Sequence, residues 1–143
     1  MDRIDRAIID HLRRDARLPN VELAERVGLS PSPCLRRVRR LEDDGVIVGY
    51  RAEIDPAALD RGFEVMINVN LTAKDRETFL GFEREVAAFE EVVELRRMFG
   101  LPDYFVRAAT RDIRSYEAFI ADKLGRVPGI ASVDSHLTMK HIK

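Results

Sequence analysis

The strongest constraint in this chain is a change of hydrophobic period. As far as Leu41 the apolar residues recur at helical spacing, and from Val65 onward short β-branched runs alternate with helical ones. At 143 residues there is room for one ordinary domain or two small ones. The first part reads as three helices. Ile4, Ile8 and Leu12, with Ala7 beside them, mark one amphipathic helix. RLPNVELAERVGLS holds a second. Asn20 is its cap candidate, Glu22 sits where the dipole favours an anion, Leu23, Ala24 and Val27 form the apolar face, and Gly28 stops it. The third opens with Ser-Pro-Ser-Pro, Ser30 to Pro33. Ser30 is an N-cap candidate and Pro31 takes the first helical position. Pro33 is still in the first turn, whose N–H groups have no intrahelical acceptor. The prolines therefore start this helix, and Gly45 ends it.

Val46–Asp55 has strand character, and DPAALDRGF reads as a linker with a helical turn, centred on residues 55–64. Beyond it, Val65–Leu71 is β-rich and Asp75–Phe89 is helical, with Phe79, Phe82, Val86 and Phe89 inward. Val92–Met98 and Asp103–Thr110 are strands. Ile113–Val127 is a helix with Tyr116, Phe119, Ile120 and Leu124 on one side, and Ile130–Ile142 is a last strand. The order β-α-β-β-α-β is that of a ferredoxin-like unit.

Four of the five residues from Arg36 to Arg40 are arginines, in a chain whose net charge is only −1. Any nucleic-acid surface must therefore be local. At 100° per residue, Cys34, Val38 and Leu41 of the third helix face the core. Ser32, Arg36, Arg39 and Arg40 lie opposite, Arg36 near the centre of that face and Arg37 to one side. A helix-turn-helix needs this arrangement, since the outward residues of its second helix meet base edges and phosphates. Arginine serves both, bidentate to guanine or to phosphate. The plainer alternative is a solvated face, with Asp43 and Asp44 near enough for surface pairs. The tight turn and the preceding helix favour DNA contact.

Other chemistry is thin. Cys34, the only cysteine, excludes an intrachain disulfide and a cysteine-based zinc site, and its place on the wheel suits a small core hydrophobe better than a redox sensor. His11, His136 and His141 are dispersed, so no metal or other cofactor is expected. No nucleophile stands beside a base. The N-terminal sequence lacks the pattern of a signal peptide, and no apolar run approaches the roughly 20 residues of a spanning helix. The expectation is a soluble cytoplasmic protein without a membrane partner.

Two stretches carry a resemblance to a known family. One is DRIDRAIIDHLRRDARLPNVELAERVGLSPSPCLRRVRRLEDDGVIVGYRAEIDPAALD, and the other is FGLPDYFVRAATRDIRSYEAFIADKLGRVPGIASVDSHLTMK. Together they resemble the Lrp/AsnC transcription regulators over essentially the whole chain. The resemblance implies an α+β protein: a winged helix-turn-helix over residues 1–54, a linker over 55–64, and a ferredoxin-like effector-binding and oligomerising domain over 65–143. It implies double-stranded DNA as partner, contacted by Asn20, Ser30, Ser32, Arg36, Arg37, Arg39 and Arg40. It also implies a homodimer that assembles further, commonly to an octamer, and a small effector, usually an amino acid. The family's Gly-x-x-Asp-Tyr signature falls on Gly100, Asp103 and Tyr104. The implied effector pocket comprises Met98, Phe99, Gly100, Leu101, Pro102, Asp103 and Tyr104, with Ser135 from the last strand. Gly100 permits close backbone approach, and Asp103 could meet an ammonium. Alone, these residues read equally well as a hairpin turn with a stabilising aspartate. The apolar rim of Phe99, Leu101 and Pro102 departs from the family's pattern and suggests a larger effector, or none. An architectural DNA-binding protein shares the same helix, and a siroheme-decarboxylase-like enzyme shares the scaffold but has no need of the arginines.

Overall fold

In the computed structural model, which describes residues 1–140 and Ile142, the chain forms two compact units, Met1–Glu53 and a second beginning at Ile54. The first holds α1 (Arg3–Arg14), α2 (Asn20–Arg26) and α3 (Pro31–Asp43). Their apolar faces meet in a core of Ile8, Leu18, Leu23, Ala24, Cys34 and Leu41. Each large aliphatic side chain buried this way contributes about 1.5–3 kcal/mol. α1 starts in a capping box: the Asp2 carboxylate accepts from the Asp5 N–H, and the Asp5 carboxylate accepts from the Asp2 N–H, both at 2.9 Å. Between α2 and α3 the chain turns at Gly28, whose φ of +70° suits a residue without Cβ. The Leu29 N–H there donates to the Ala24 carbonyl at 2.8 Å.

Two local expectations are corrected in this unit, and a third, the Ser30 cap, holds in position only. Asn20 is the first helical residue of α2, not its cap; Pro19 holds the cap position, without a side-chain bond. Ser30 is the cap residue of α3, yet its hydroxyl caps nothing. The third helical residue, whose N–H a cap side chain commonly bonds, is Pro33 and has none. Val46–Asp55 is irregular backbone rather than a strand. A strand needs a paired neighbour, and this unit holds only helices among its described residues. Instead the Val46 and Ile47 N–H groups both donate to the Leu41 carbonyl, folding the chain back over the end of α3.

The second unit begins with a short 3₁₀ turn, Pro56–Leu59, capped by Asp55. Then come β1 (Phe63–Leu71), α4 (Arg76–Val86), β2 (Val92–Arg97), β3 (Tyr104–Thr110), α5 (Ile113–Asp122) and β4 (Ile130–Leu137). The strands form one sheet in the order β2-β3-β1-β4, antiparallel at every pairing, which is the ferredoxin-like topology. Asp75 and Asp112 cap α4 and α5, accepting from the Thr78 and Ser115 N–H groups. One sheet face buries Val65, Ile67, Val69, Tyr104 and Val106 against Phe82, Val86, Phe119 and Leu124 of the helical side. Phe79 and Phe89 are only partly buried.

Element ends differ from the sequence reading. α4 stops at Val86 rather than Phe89, and α5 breaks at Lys123 into a 3₁₀ turn, Leu124–Arg126. β4 ends at Leu137, opposite Val65. Only Phe63 and Glu64 of β1 extend past that register. His141, part of the expected last strand, lies outside the described residues.

Candidate nucleic-acid interface and effector turn

α3 carries the arginines as the wheel places them, with one addition that divides them into two pairs. Cys34 and Leu41 are buried, while Ser32, Arg36 and Arg39 are exposed. Arg36 and Arg39 make no ion pair among the described residues. Arg37 turns toward α1, where its Nη1 donates to Asp2 Oδ2 at 2.6 Å and to Asp5 Oδ1 at 2.8 Å. Arg40 Nη2 donates to both oxygens of Asp5, at 2.8 and 3.0 Å. Asp5 is 1% exposed, so this is a carboxylate held inside the unit by two guanidinium groups and one backbone N–H. The Asp5 N–H, and after it the Arg37 guanidinium, hold the Asp2 carboxyl down at about 2. The Asp2 N–H and Arg37 likewise lower Asp5, outweighing its burial. Both acids are ionised across the physiological range.

The start of α3 presents little competition to a ligand. Pro31 and Pro33 have no N–H to offer, and Ser30 and Ser32 hold exposed hydroxyls without partners among the described residues. Asn20 does not reach outward. Its Nδ2 donates to the Pro31 carbonyl at 2.8 Å, tying the start of α2 to the start of α3 and so fixing the angle between them.

In the second unit the β2–β3 turn runs from Met98 to Asp103, closed by the Met98 N–H donating to the Asp103 carbonyl at 2.9 Å. Gly100 has φ +108°, and nothing lies within 4 Å of where its Cβ would be. Phe99 and Leu101 project into solvent and Met98 is about half exposed; the Leu101–Pro102 bond is cis. Asp103 is buried at 4% exposure and already partnered: it accepts from the Leu71 N–H at 2.9 Å and from Lys74 Nζ at 2.6 Å. Lys74, with the Leu71 N–H second, lowers its carboxyl below the usual carboxylate range. Tyr104 is fully buried; its hydroxyl donates to Glu83 at 2.8 Å and accepts from Arg97 at 3.1 Å, while burial and Glu83 push it up to about 12. Ser135 is not beside this turn. It lies on β4, with β1 between β4 and β3, and is bonded to the Tyr116 hydroxyl at 2.5 Å. Lys74, Glu83 and Arg97 had no signal in the sequence that tied them to the turn. Asp2 and Asp5 carry a capping pattern that marks the start of α1, but nothing in it signals their pairing with Arg37 and Arg40.

The two units thus define a class: a helix-turn-helix DNA-binding protein with a ferredoxin-like companion unit. Residues 1–48 match the model of winged helix-turn-helix DNA-binding domains, and residues 64–143 that of the Lrp/AsnC ligand-binding domain. The chain is 38% identical over 143 residues to the leucine-responsive regulatory protein of Escherichia coli K12, covering 100% of this chain and 87% of that one. The L-Met complex of a transcriptional regulator from Neisseria meningitidis superposes with a TM-score of 0.93 at 35% identity, covering 100% of this chain and 92% of that one. An AsnC family transcriptional regulator from Agrobacterium tumefaciens does so with 0.90 at 37%, covering 100% and 93%. The chain belongs to the Lrp/AsnC family of DNA-binding transcription regulators, with a ligand-binding domain in its second unit. These relatives are regulators rather than enzymes. Among the described residues no helix is long and apolar enough to cross a membrane.

Proposed function

We propose that the protein is a sequence-specific DNA-binding regulator that acts as a homodimer and responds to a small effector of the amino-acid class. The observation that carries the reading is the outward face of α3. Ser32, Arg36 and Arg39 stand exposed there, without a side-chain partner among the described residues. Arg36, at the centre of that face, is assigned to a base edge, bidentate to guanine, and Arg39 to phosphate. Ser30 and Ser32 add hydroxyls for phosphate at the helix start. Asn20 contributes by holding α2 and α3 at a fixed angle. Arg37 and Arg40 lie beside this face with their guanidinium groups engaged.

For the effector, the support is the open turn at Gly100, flanked by exposed Phe99 and Leu101, together with the methionine bound by the Neisseria relative. In this reading the turn's backbone N–H groups take the carboxylate. Asp103, already paired with Lys74, sets the turn's shape and does not receive the ammonium. Because Ser135 sits away from the turn in one chain, its part in the pocket requires a second copy. The dimer is supported by the sheet face that this unit's helices leave bare. Met66 and Phe105 lie on it, with Arg107 paired to Glu64 at 2.7 Å and to Glu94 at 3.2 Å. Assembly to an octamer is the extension that the family resemblance implies.

Fluorescence anisotropy on a duplex enriched from a random pool, against its shuffled counterpart, tests the DNA reading. A strong preference for the enriched duplex is expected. Equal, salt-sensitive binding to both would make the protein an architectural one.

A further inference from the structure

The arginine stretch is less available than its sequence suggests. Of the four guanidinium groups, those of Arg37 and Arg40 already hold carboxylate oxygens at 2.6–3.0 Å, the distances at which arginine also grips phosphate. The acids come from α1, distant in sequence and brought to α3 by the fold. Asp5 is the centre of the arrangement. It is buried, it faces both arginines, and its remaining capacity is taken by the Asp2 N–H. Asp2, more exposed, closes on Arg37 alone.

We propose that Asp5, assisted by Asp2, is an internal phosphate mimic that keeps Arg37 and Arg40 off the DNA backbone, and so limits sequence-independent binding. This rests on α3 being the DNA-contacting helix. Arg40 meets Asp5 through Nη2 alone and its side chain is 53% exposed, so a phosphate could still reach its Nε and Nη1. Its positive charge is already opposed by the ionised Asp5, however, which weakens the net attraction for a phosphate there. Arg36 and Arg39 face no such competition. Arg37 and Arg40 thereby become positioning residues that fix α3 against α1, and among the described residues only Arg36 and Arg39 of the four arginines on the helix have no carboxylate partner. Phosphate contacts add affinity for any sequence, whereas base contacts discriminate. Holding two arginines back therefore raises the ratio of specific to non-specific binding.

The slope of log K against log salt counts neutralised phosphates, about 0.9 per contact, and a purely structural ion pair would not move it. The full-length protein and the Asp5→Asn, Arg39→Gln and Arg40→Gln variants would be titrated on the enriched and shuffled duplexes across a sodium chloride series. Arg39→Gln should flatten the slope by about 0.9 per chain, and Arg40→Gln should leave it unchanged. Folded Asp5→Asn should bind the shuffled duplex several-fold more tightly, with a slope steeper by about 0.9 for each arginine released. Equal flattening by Arg39→Gln and Arg40→Gln, or a folded Asp5→Asn with an unchanged or shallower slope, would overturn the proposal. The two arginine variants decide it even if Asp5→Asn does not fold. Failure of the unaltered protein to bind either duplex would remove the DNA reading itself, a distinct result.

Discussion

Arg36 stands at the middle of an exposed helix face with no carboxylate engaged, so its guanidinium has nothing to give up on meeting a base edge. Replacing it with alanine should weaken binding to the preferred duplex by about 1–3 kcal/mol and relax the preference at one base position, with little change on the shuffled duplex. Anisotropy titrations on single-base variants of the site would show this. Asp103 makes a different kind of contribution. Asp103→Ala strands the buried Leu71 N–H, at a cost of about 1–3 kcal/mol to the second unit. Because its carboxyl is lowered in the folded state, the stabilisation is complete above the ordinary value of 3.8 and is lost as the pH falls below it. The gap between the unaltered protein and the variant should therefore be widest near neutrality and close as the acid range is entered. Urea unfolding followed by the near-ultraviolet signal of Tyr104 and Tyr116 measures it. At this scale the sequence shows the arginine face, because a helical wheel needs only local spacing. It does not show which arginines are held, since Asp2 and Asp5 lie 32 to 35 residues away. Asp103 is the same case: its partners are on the far end of β1 and the loop after it.

The start of α3 shows how an element can hold a cap residue without a cap bond. Ser30→Ala should change stability by less than about 0.5 kcal/mol, since there is no side-chain bond to lose. Asp112→Ala, which removes two bonds at 2.8 and 2.9 Å to Ser115, should cost about 1 kcal/mol. Thermal melts of the two variants would separate these outcomes. The helices and strands themselves are legible because each apolar stripe has one buried partner: Ile8 on α1, Cys34 and Leu41 on α3, Phe82 and Val86 on α4, Phe119 on α5. What fails is the segment Val46–Asp55. Its composition suits a strand, but pairing is a property of neighbours, and the first unit offers none. The same reasoning shortens β4, whose alternation continues past the strand it needs.

For the whole molecule, the proposed dimer rests on the bare sheet face. Phe105→Glu places a charge on that face opposite Asn68, where the fold of one chain has no need of Phe105. Sedimentation should then report a mass near 16.4 kDa in place of at least twice that, with the circular dichroism of the folded units retained. An unchanged mass would place the dimer contact elsewhere. The central claim is that two copies of α3 read a defined sequence, and the most direct measurement is the affinity of the unaltered protein for an enriched duplex and its shuffled counterpart across a salt series. Expected are a preference of about a thousandfold or more, imperfect two-fold symmetry in the enriched site, and a salt slope no shallower than about −1.8, from the two Arg39 phosphate contacts of a dimer. Enrichment without a consensus, or equal affinities at every salt concentration, would contradict it.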